Sequence, residues 1–223
     1  MKKILIIIGI FLLMCGCESK NNENINYTQK EETKKFVLKK IDDSKDYVYF
    51  KKYKQVPGIG DKLYNLEIAI INVDSDEVAN VNLEIKSFIT KSFNDFNISN
   101  NVFNQGNIIS YDYYVTDKYI SLLQKYYFYV DGMIGEEHDN VFVISLNNGK
   151  VLNNEEILNK YGFDEKQLFD ILKEKIKSDD IAFTLKNIKD EGYNLFINND
   201  NRLCIVYYEI TNDDNIRKEL VLN

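Results

Sequence analysis

The densest run of titratable side chains in this sequence is Glu136-Glu137-His138-Asp139. Carboxylate and imidazole groups could hold a metal ion or act as a general acid–base pair. Neighbouring side chains in an extended segment point to opposite faces, so at most two of the four converge, whereas a zinc site needs three or four ligands. We therefore favour a solvated acidic turn between two strands, and we expect no metal site here.

Other reactive residue types are sparse. Cys204 lies in an apolar run and is typical of a small buried hydrophobe, since a nucleophile would need a histidine partner and the chain has one histidine. Residues 212–215 offer oxygen ligands for calcium but lack the spacing and glycine of a calcium loop, which favours a hairpin turn. Residues 126–129 could stack on sugars, although a strand packed on both faces is favoured. No phosphate-cradling loop, nucleophile elbow or zinc-protease motif is present, so we expect a non-catalytic protein without a cofactor.

The first seventeen residues have the pattern of a bacterial lipoprotein signal. Lys2 and Lys3 precede an apolar run that is shorter than the roughly 20 residues of a membrane span, and Gly16 places a small residue before Cys17. We predict cleavage after residue 16 and lipidation of Cys17, which places the protein outside the cytoplasm at the cell membrane. The alternatives are an ordinary cleaved signal, an uncleaved helix, or acylation of Cys15, which large Met14 disfavours.

The predicted mature chain is strongly acidic. Removal of the leader leaves 26 basic and 35 acidic residues, a net charge of −9. This balance excludes nucleic acid as a partner and disfavours anionic lipid headgroups. It could attract a basic protein, or it could simply keep a surface protein soluble.

The chain divides into four predicted regions. Residues 1–16 are the signal peptide, and polar residues 17–35 form a flexible tether. Residues 36–105 form an N-terminal α+β subdomain and residues 106–223 a C-terminal one.

The predicted N-terminal elements are two strands and a helix. The strands lie around Val48 and Leu66–Ile70, with a Pro-Gly turn at Pro57 between them. The helix runs from a capping box, Asp74 with Glu77, to about Phe93.

The C-terminal half contains more strands and two further helices. Strands are predicted over 107–116, 118–130 and 140–146, then over 193–197, 202–210 and 216–222. Between these groups, one helix runs from Asn154 to Tyr161 and the next is capped by Asp164 with Gln167. This order lacks a steady strand–helix alternation, so we predict an α+β fold of antiparallel sheets with about three helices packed on one face.

Several short segments carry a family resemblance over residues 36–223. They are Pro57-Gly58, the helix with Asn80 and Asn82, the strand and Gly-Lys turn Ile144–Leu152, Glu155–Leu158, Tyr208–Ile210 and Leu220–Leu222. The folded part resembles the extracytoplasmic domain pair of lysozyme-sensing anti-sigma factors, which also occurs beside some peptidoglycan deacetylase domains. Family members often have Gly-Gly-Ala-His-Gly before the Gly-Lys turn, where this chain has Asp131–Gly135 with Ile134 in the position of the histidine.

The resemblance implies a cell-surface lipoprotein that binds an envelope partner, either a lysozyme-like protein or peptidoglycan. One alternative is a cell-wall hydrolase that uses carboxylates such as Glu136 and Glu137. Another is a structural or assembly lipoprotein for exported proteins.

Overall fold

The computed structural model describes residues 38–57, 63–99, 105–130, 133–177, 180–210 and 215–223. All of them belong to the compact unit Lys35–Asn223. The leader, Cys17 and the predicted tether lie outside the described residues, as do 58–60 of the predicted Pro-Gly turn and 212–214 of the predicted hairpin turn. None of the described helices combines the length and apolar character that a bilayer crossing requires.

The described part of the chain contains nine strands and four helices. In chain order they are β1 Val48–Pro57, β2 Leu63–Ile71, α1 Asp76–Ser99, β3 Gln105–Val115, β4 Tyr119–Val130, β5 Met133–Ser145, β6 Val151–Leu152, α2 Asn154–Lys160, α3 Glu165–Lys175, α4 Ile181–Glu191, β7 Asn194–Ile197, β8 Leu203–Ile210 and β9 Asn215–Val221. The sequence did not predict helix α4.

The strands form three sheets, and every pairing is antiparallel. Strands β1 and β2 make a hairpin sheet, β3-β4-β5-β6 a central sheet and β7-β8-β9 a C-terminal sheet. The predicted α+β class with antiparallel sheets is therefore confirmed.

The central sheet supplies side chains to two hydrophobic cores because β4 and β5 are apolar on both faces. Ile120 and Leu122 of β4 belong to the N-terminal core, whereas Leu123 belongs to the C-terminal core. The N-terminal core also receives the hairpin sheet and the predicted stripe of α1, in which Val78, Val81, Ile85 and Ile89 are buried. The C-terminal core receives the C-terminal sheet and the inward faces of α2, α3 and α4.

Buried and half-buried polar side chains fix the positions of these layers. Asn82 of α1 both accepts a hydrogen bond from the backbone N–H of Ile71 and donates one to its carbonyl, each at 2.9 Å. It thus supplies the free edge of β2 with the partners that another strand would provide. In the C-terminal half, the hydroxyl of Ser121 accepts from the backbone N–H of Ile197 at 3.0 Å and so ties the central sheet to the C-terminal sheet.

The predicted cap of α3 is present, but the predicted cap of α1 is wrong. Asp164 and Gln167 form a full capping box at α3. At α1 the helix begins one residue later than predicted, and the backbone N–H of Ala79 donates to the carbonyl of Ser75 at 2.9 Å. Glu77 accepts from the backbone N–H of Val151 at 2.8 Å, so this carboxylate joins the helix to the turn after β5. A long-range contact has replaced the local cap.

Candidate functional site

The candidate acidic cluster lies within strand β5, so the interpretation of residues 136–139 as a turn is wrong. The strand begins at Met133, seven residues before the predicted start. In the register with β4, Glu136 pairs with Phe128, Glu137 with Tyr127, His138 with Tyr126 and Asp139 with Lys125. The side chains of Glu136 and Glu137 lie outside the described part of the structure. The long partner strand β4 explains the difference, since it extends the ladder through these polar residues.

His138 and Asp139 point to opposite faces of the central sheet, as the strand alternation requires. The His138 ring is exposed and lies nearly parallel to that of Tyr126, with ring centroids 6.5 Å apart. The Asp139 side chain is fully buried on the other face. Among the residues that the structure describes, no three His, Cys, Asp or Glu side chains come together as a possible metal site.

Asp139 is the centre of a buried charge network that the sequence did not reveal. Its Oδ2 atom accepts a hydrogen bond from Arg217 Nε at 2.7 Å and another from the Tyr208 hydroxyl at 3.0 Å. Arg217 Nη1 also lies 2.7 Å from Glu219 Oε1, and 13% of the Arg217 side chain is exposed. We call Asp139, Tyr208, Arg217 and Glu219 the inter-sheet charge network, because it joins β5 to β8 and β9.

The strand registers explain why these side chains meet. Tyr208 of β8 lies directly opposite Arg217 of β9, so both side chains share one face of the C-terminal sheet. Glu219 follows Arg217 by two residues and lies on that face too. The amide of Asn194, at the start of β7, donates to the backbone carbonyl of Asp139 at 3.3 Å and holds the two sheets together at this position.

The electrostatics of the network favour a permanent ion pair. Burial disfavours the charged guanidinium, but Asp139 and Glu219 outweigh burial and raise the pKa of Arg217 above its usual value. Within the described part of the chain, Asp139 Oδ1 and Arg217 Nη2 are buried without a hydrogen-bond partner. Asp139 Oδ2 already accepts from a guanidinium and a phenol, so the arrangement suits holding two sheets together.

One sequence signal could have pointed to this network. Only two of the 28 basic residues of the chain are arginines, Arg202 and Arg217. Arginine is the preferred cation for buried, multidentate ion pairs, so an arginine in an alternating strand of a lysine-rich protein indicates such a pair. Its partner Asp139 is 78 residues away in sequence, and no local pattern identifies it.

Cys204 is a buried thiol, as the sequence predicted. Only 3% of the residue is exposed, and its Sγ atom donates to the carbonyl of Arg202 at 3.6 Å. Burial raises the pKa of Cys204 to about 11. The thiolate, which is the reactive form, is therefore suppressed at neutral pH.

We expect Cys204 to resist thiol reagents until the protein unfolds. At pH 8, in the mature chain with Cys17→Ser, the thiol should react with Ellman's reagent at least about tenfold more slowly than in the same chain in denaturing urea. The raised pKa means that the folded state loses stability as the pH rises from 9 towards about 11. Equal rates in the folded and unfolded chains would show that Cys204 is accessible.

Comparison with known proteins does not assign the chain to a family. No protein-family model matches it, and no curated protein matches its sequence.

Proposed function

We propose that this chain is a cell-surface lipoprotein, anchored through Cys17, whose folded domain binds an envelope partner without catalysing a reaction. The observation that carries the proposal is the leader, in which a short apolar run ends in Gly16 and Cys17 after two lysines. Two or more acyl chains on one cysteine would hold the protein stably at the membrane.

A basic partner, such as a lysozyme-like protein, is supported by the family resemblance and by the distribution of carboxylates. The bond from Val151 to Glu77 places the first turn of α1 beside the turn after β5, and the ion pair of Lys150 with Glu156 places α2 there as well. The side chains of Asp74, Asp76 and Glu155 are exposed around this junction. We call these three residues the acidic edge.

The acidic edge would accelerate and strengthen the approach of a cationic protein by long-range attraction. The hydrolase alternative receives less support, because it needs two carboxylates that converge on a substrate. Asp139 is instead committed to Arg217 and Tyr208, and His138 points to the opposite face.

We expect a basic lysozyme to bind the mature chain, and the binding to weaken with salt. Isothermal titration at 20 mM and 300 mM NaCl should give an affinity that falls by roughly tenfold or more, since the Debye length shortens severalfold over this range. Cytochrome c, another small basic protein, should bind much more weakly. No heat with lysozyme at low salt, or equal binding of cytochrome c, would contradict this partner.

Charge-matched variants test the position of the contact. D74N/D76N/E155Q removes three carboxylates from the acidic edge, and E174Q/D190N/E191Q removes three exposed carboxylates from α3 and α4. Both variants have the same net charge. The first should lose more affinity for lysozyme than the second, whereas equal losses would show that only the total charge matters.

A further inference from the structure

The negative net charge of the chain conceals a local basic surface on strand β1. This strand contains Lys51, Lys52 and Lys54 and no acidic residue. All five side chains from Phe50 to Lys54 are exposed. By strand alternation, Phe50 and Lys52 lie on one face of the hairpin sheet and Lys51 on the other, and the exposed Glu67 of β2 lies opposite Lys52. Together with Tyr113 of β3, we call residues 50–54 the lysine–aromatic strip.

The aromatic members of the strip are held in place but remain open to solvent. The Phe50 ring lies 5.7 Å from that of Tyr111 and 6.0 Å from that of Tyr113. The hydroxyl of Tyr53 is hydrogen-bonded to Thr90 of α1 at 3.1 Å. Nevertheless, 41% of Phe50, 38% of Tyr53 and 44% of Tyr113 are exposed. The rings are thus oriented by packing and do not form part of a closed core.

Protection against aggregation explains the lysines of the strip but not its exposed aromatic rings. Lysines on an edge strand prevent pairing with another sheet, and β1 is such an edge. Large exposed aromatic rings between the lysines would increase the tendency to associate, so edge protection does not explain them. Lysines interleaved with exposed aromatic rings are instead the combination that favours a membrane surface, where cations meet anionic headgroups and rings occupy the interface.

We propose that the lysine–aromatic strip docks the folded domain onto an anionic lipid bilayer. The proximity of that bilayer rests on the proposed anchor at Cys17. The 21 residues from Cys17 to Leu38 can span at most about 70–75 Å, so the strip would be confined close to the membrane. Confinement converts a weak contact into an intramolecular one with a high effective concentration.

A single tryptophan can report on this contact because the chain contains none. We would introduce Phe50→Trp into the mature chain with Cys17→Ser and add vesicles of phosphatidylglycerol and phosphatidylcholine, or of phosphatidylcholine alone. Emission should shift to shorter wavelength, and brominated lipids should quench it, only with the anionic vesicles and less at high salt. The matched control is Phe183→Trp on α4, where 49% of the phenylalanine is exposed. Its emission should not change.

Lysine variants test the same surface without altering an aromatic residue. K51Q/K52Q should reduce co-sedimentation with anionic vesicles by about tenfold or more, whereas K186Q/K189Q, at two exposed positions of α4, should have little effect. Equal effects of the two lysine variants, no binding to anionic vesicles, or an equal emission shift in the Phe183→Trp control would overturn the proposal. Because Cys17 is absent from this assay, the result tests the lysine–aromatic strip independently of the lipid anchor. Mass spectrometry of the native N-terminus tests the anchor itself.

Discussion

Asp139→Asn should lower the free energy of unfolding by about 3–5 kcal/mol, because it leaves the Arg217 guanidinium in the sheet interface without its main counter-charge. The Arg217 side chain is 13% exposed and the Asp139 side chain is fully buried. Urea unfolding at pH 7, followed by circular dichroism, measures the change. Asparagine has nearly the same volume as aspartate, so the loss reports on charge and hydrogen bonding rather than on packing.

The exposed ion pair of Lys166 and Asp170 provides the control. Its atoms are 2.8 Å apart, but the two side chains are 83% and 63% exposed. Asp170→Asn should therefore change stability by no more than about 0.5 kcal/mol. The double variant D139L/R217M should be more stable than D139N, because it removes both buried charges together. Equal stability of D139N and D170N would show that Asp139 and Arg217 do not form a buried pair in solution.

Gly149→Ala should produce the second large loss of stability. Gly149 has φ +69°, and an added Cβ would lie 2.6 Å from the Cβ of Ser75. The left-handed conformation costs a residue with a side chain roughly 1–2 kcal/mol, and forcing a methyl group into a packed contact costs roughly 1–3 kcal/mol more. The contact cannot easily relax, because the Ser75 hydroxyl donates to the Gly149 carbonyl at 2.9 Å.

Gly162→Ala separates these two effects. Gly162 has φ +74°, similar to that of Gly149, but an added Cβ would meet nothing within 4 Å. Gly162→Ala should therefore lower the free energy of unfolding only by the cost of the left-handed backbone conformation. The difference in free energy of unfolding between Gly149→Ala and Gly162→Ala then measures the cost of the steric overlap with Ser75. In the background of Ser75→Gly, the extra cost of Gly149→Ala should disappear. A difference that persists there would mean that another neighbour causes it.

The Gly149 contact also explains the structural role of the Gly-Lys turn. The Gly-Lys turn at Gly149 and Lys150 follows β5 directly. Ser75 approaches Gly149, and Glu77 binds the N–H of Val151. The turn is therefore the position at which α1 is fastened to the central sheet. Asn82 has a comparable role at the free edge of β2.

The periodicity of apolar residues was sufficient to predict the fold class and most helices and strands, because this pattern depends on residues close together in sequence. Alternating apolar residues predicted the strands, and the boundaries of β7, β8 and β9 lie within one residue of the predicted ones. The capping box of Asp164 with Gln167 needs residues only three apart, so it was visible as well. The cap at Asp74 was wrong because Glu77 satisfies a distant backbone group instead of its own helix end.

The candidate site was less predictable, since its partners are distant in sequence. The sequence by itself determined the α+β class, the burial of Cys204 and the alternation that keeps His138 and Asp139 apart. Only the tertiary structure decided that Asp139 pairs with Arg217 and that the aromatic rings of β1 remain exposed beside its lysines. Residue types and spacing set which face of a strand a side chain occupies, but the packing of one sheet on another sets what that face meets.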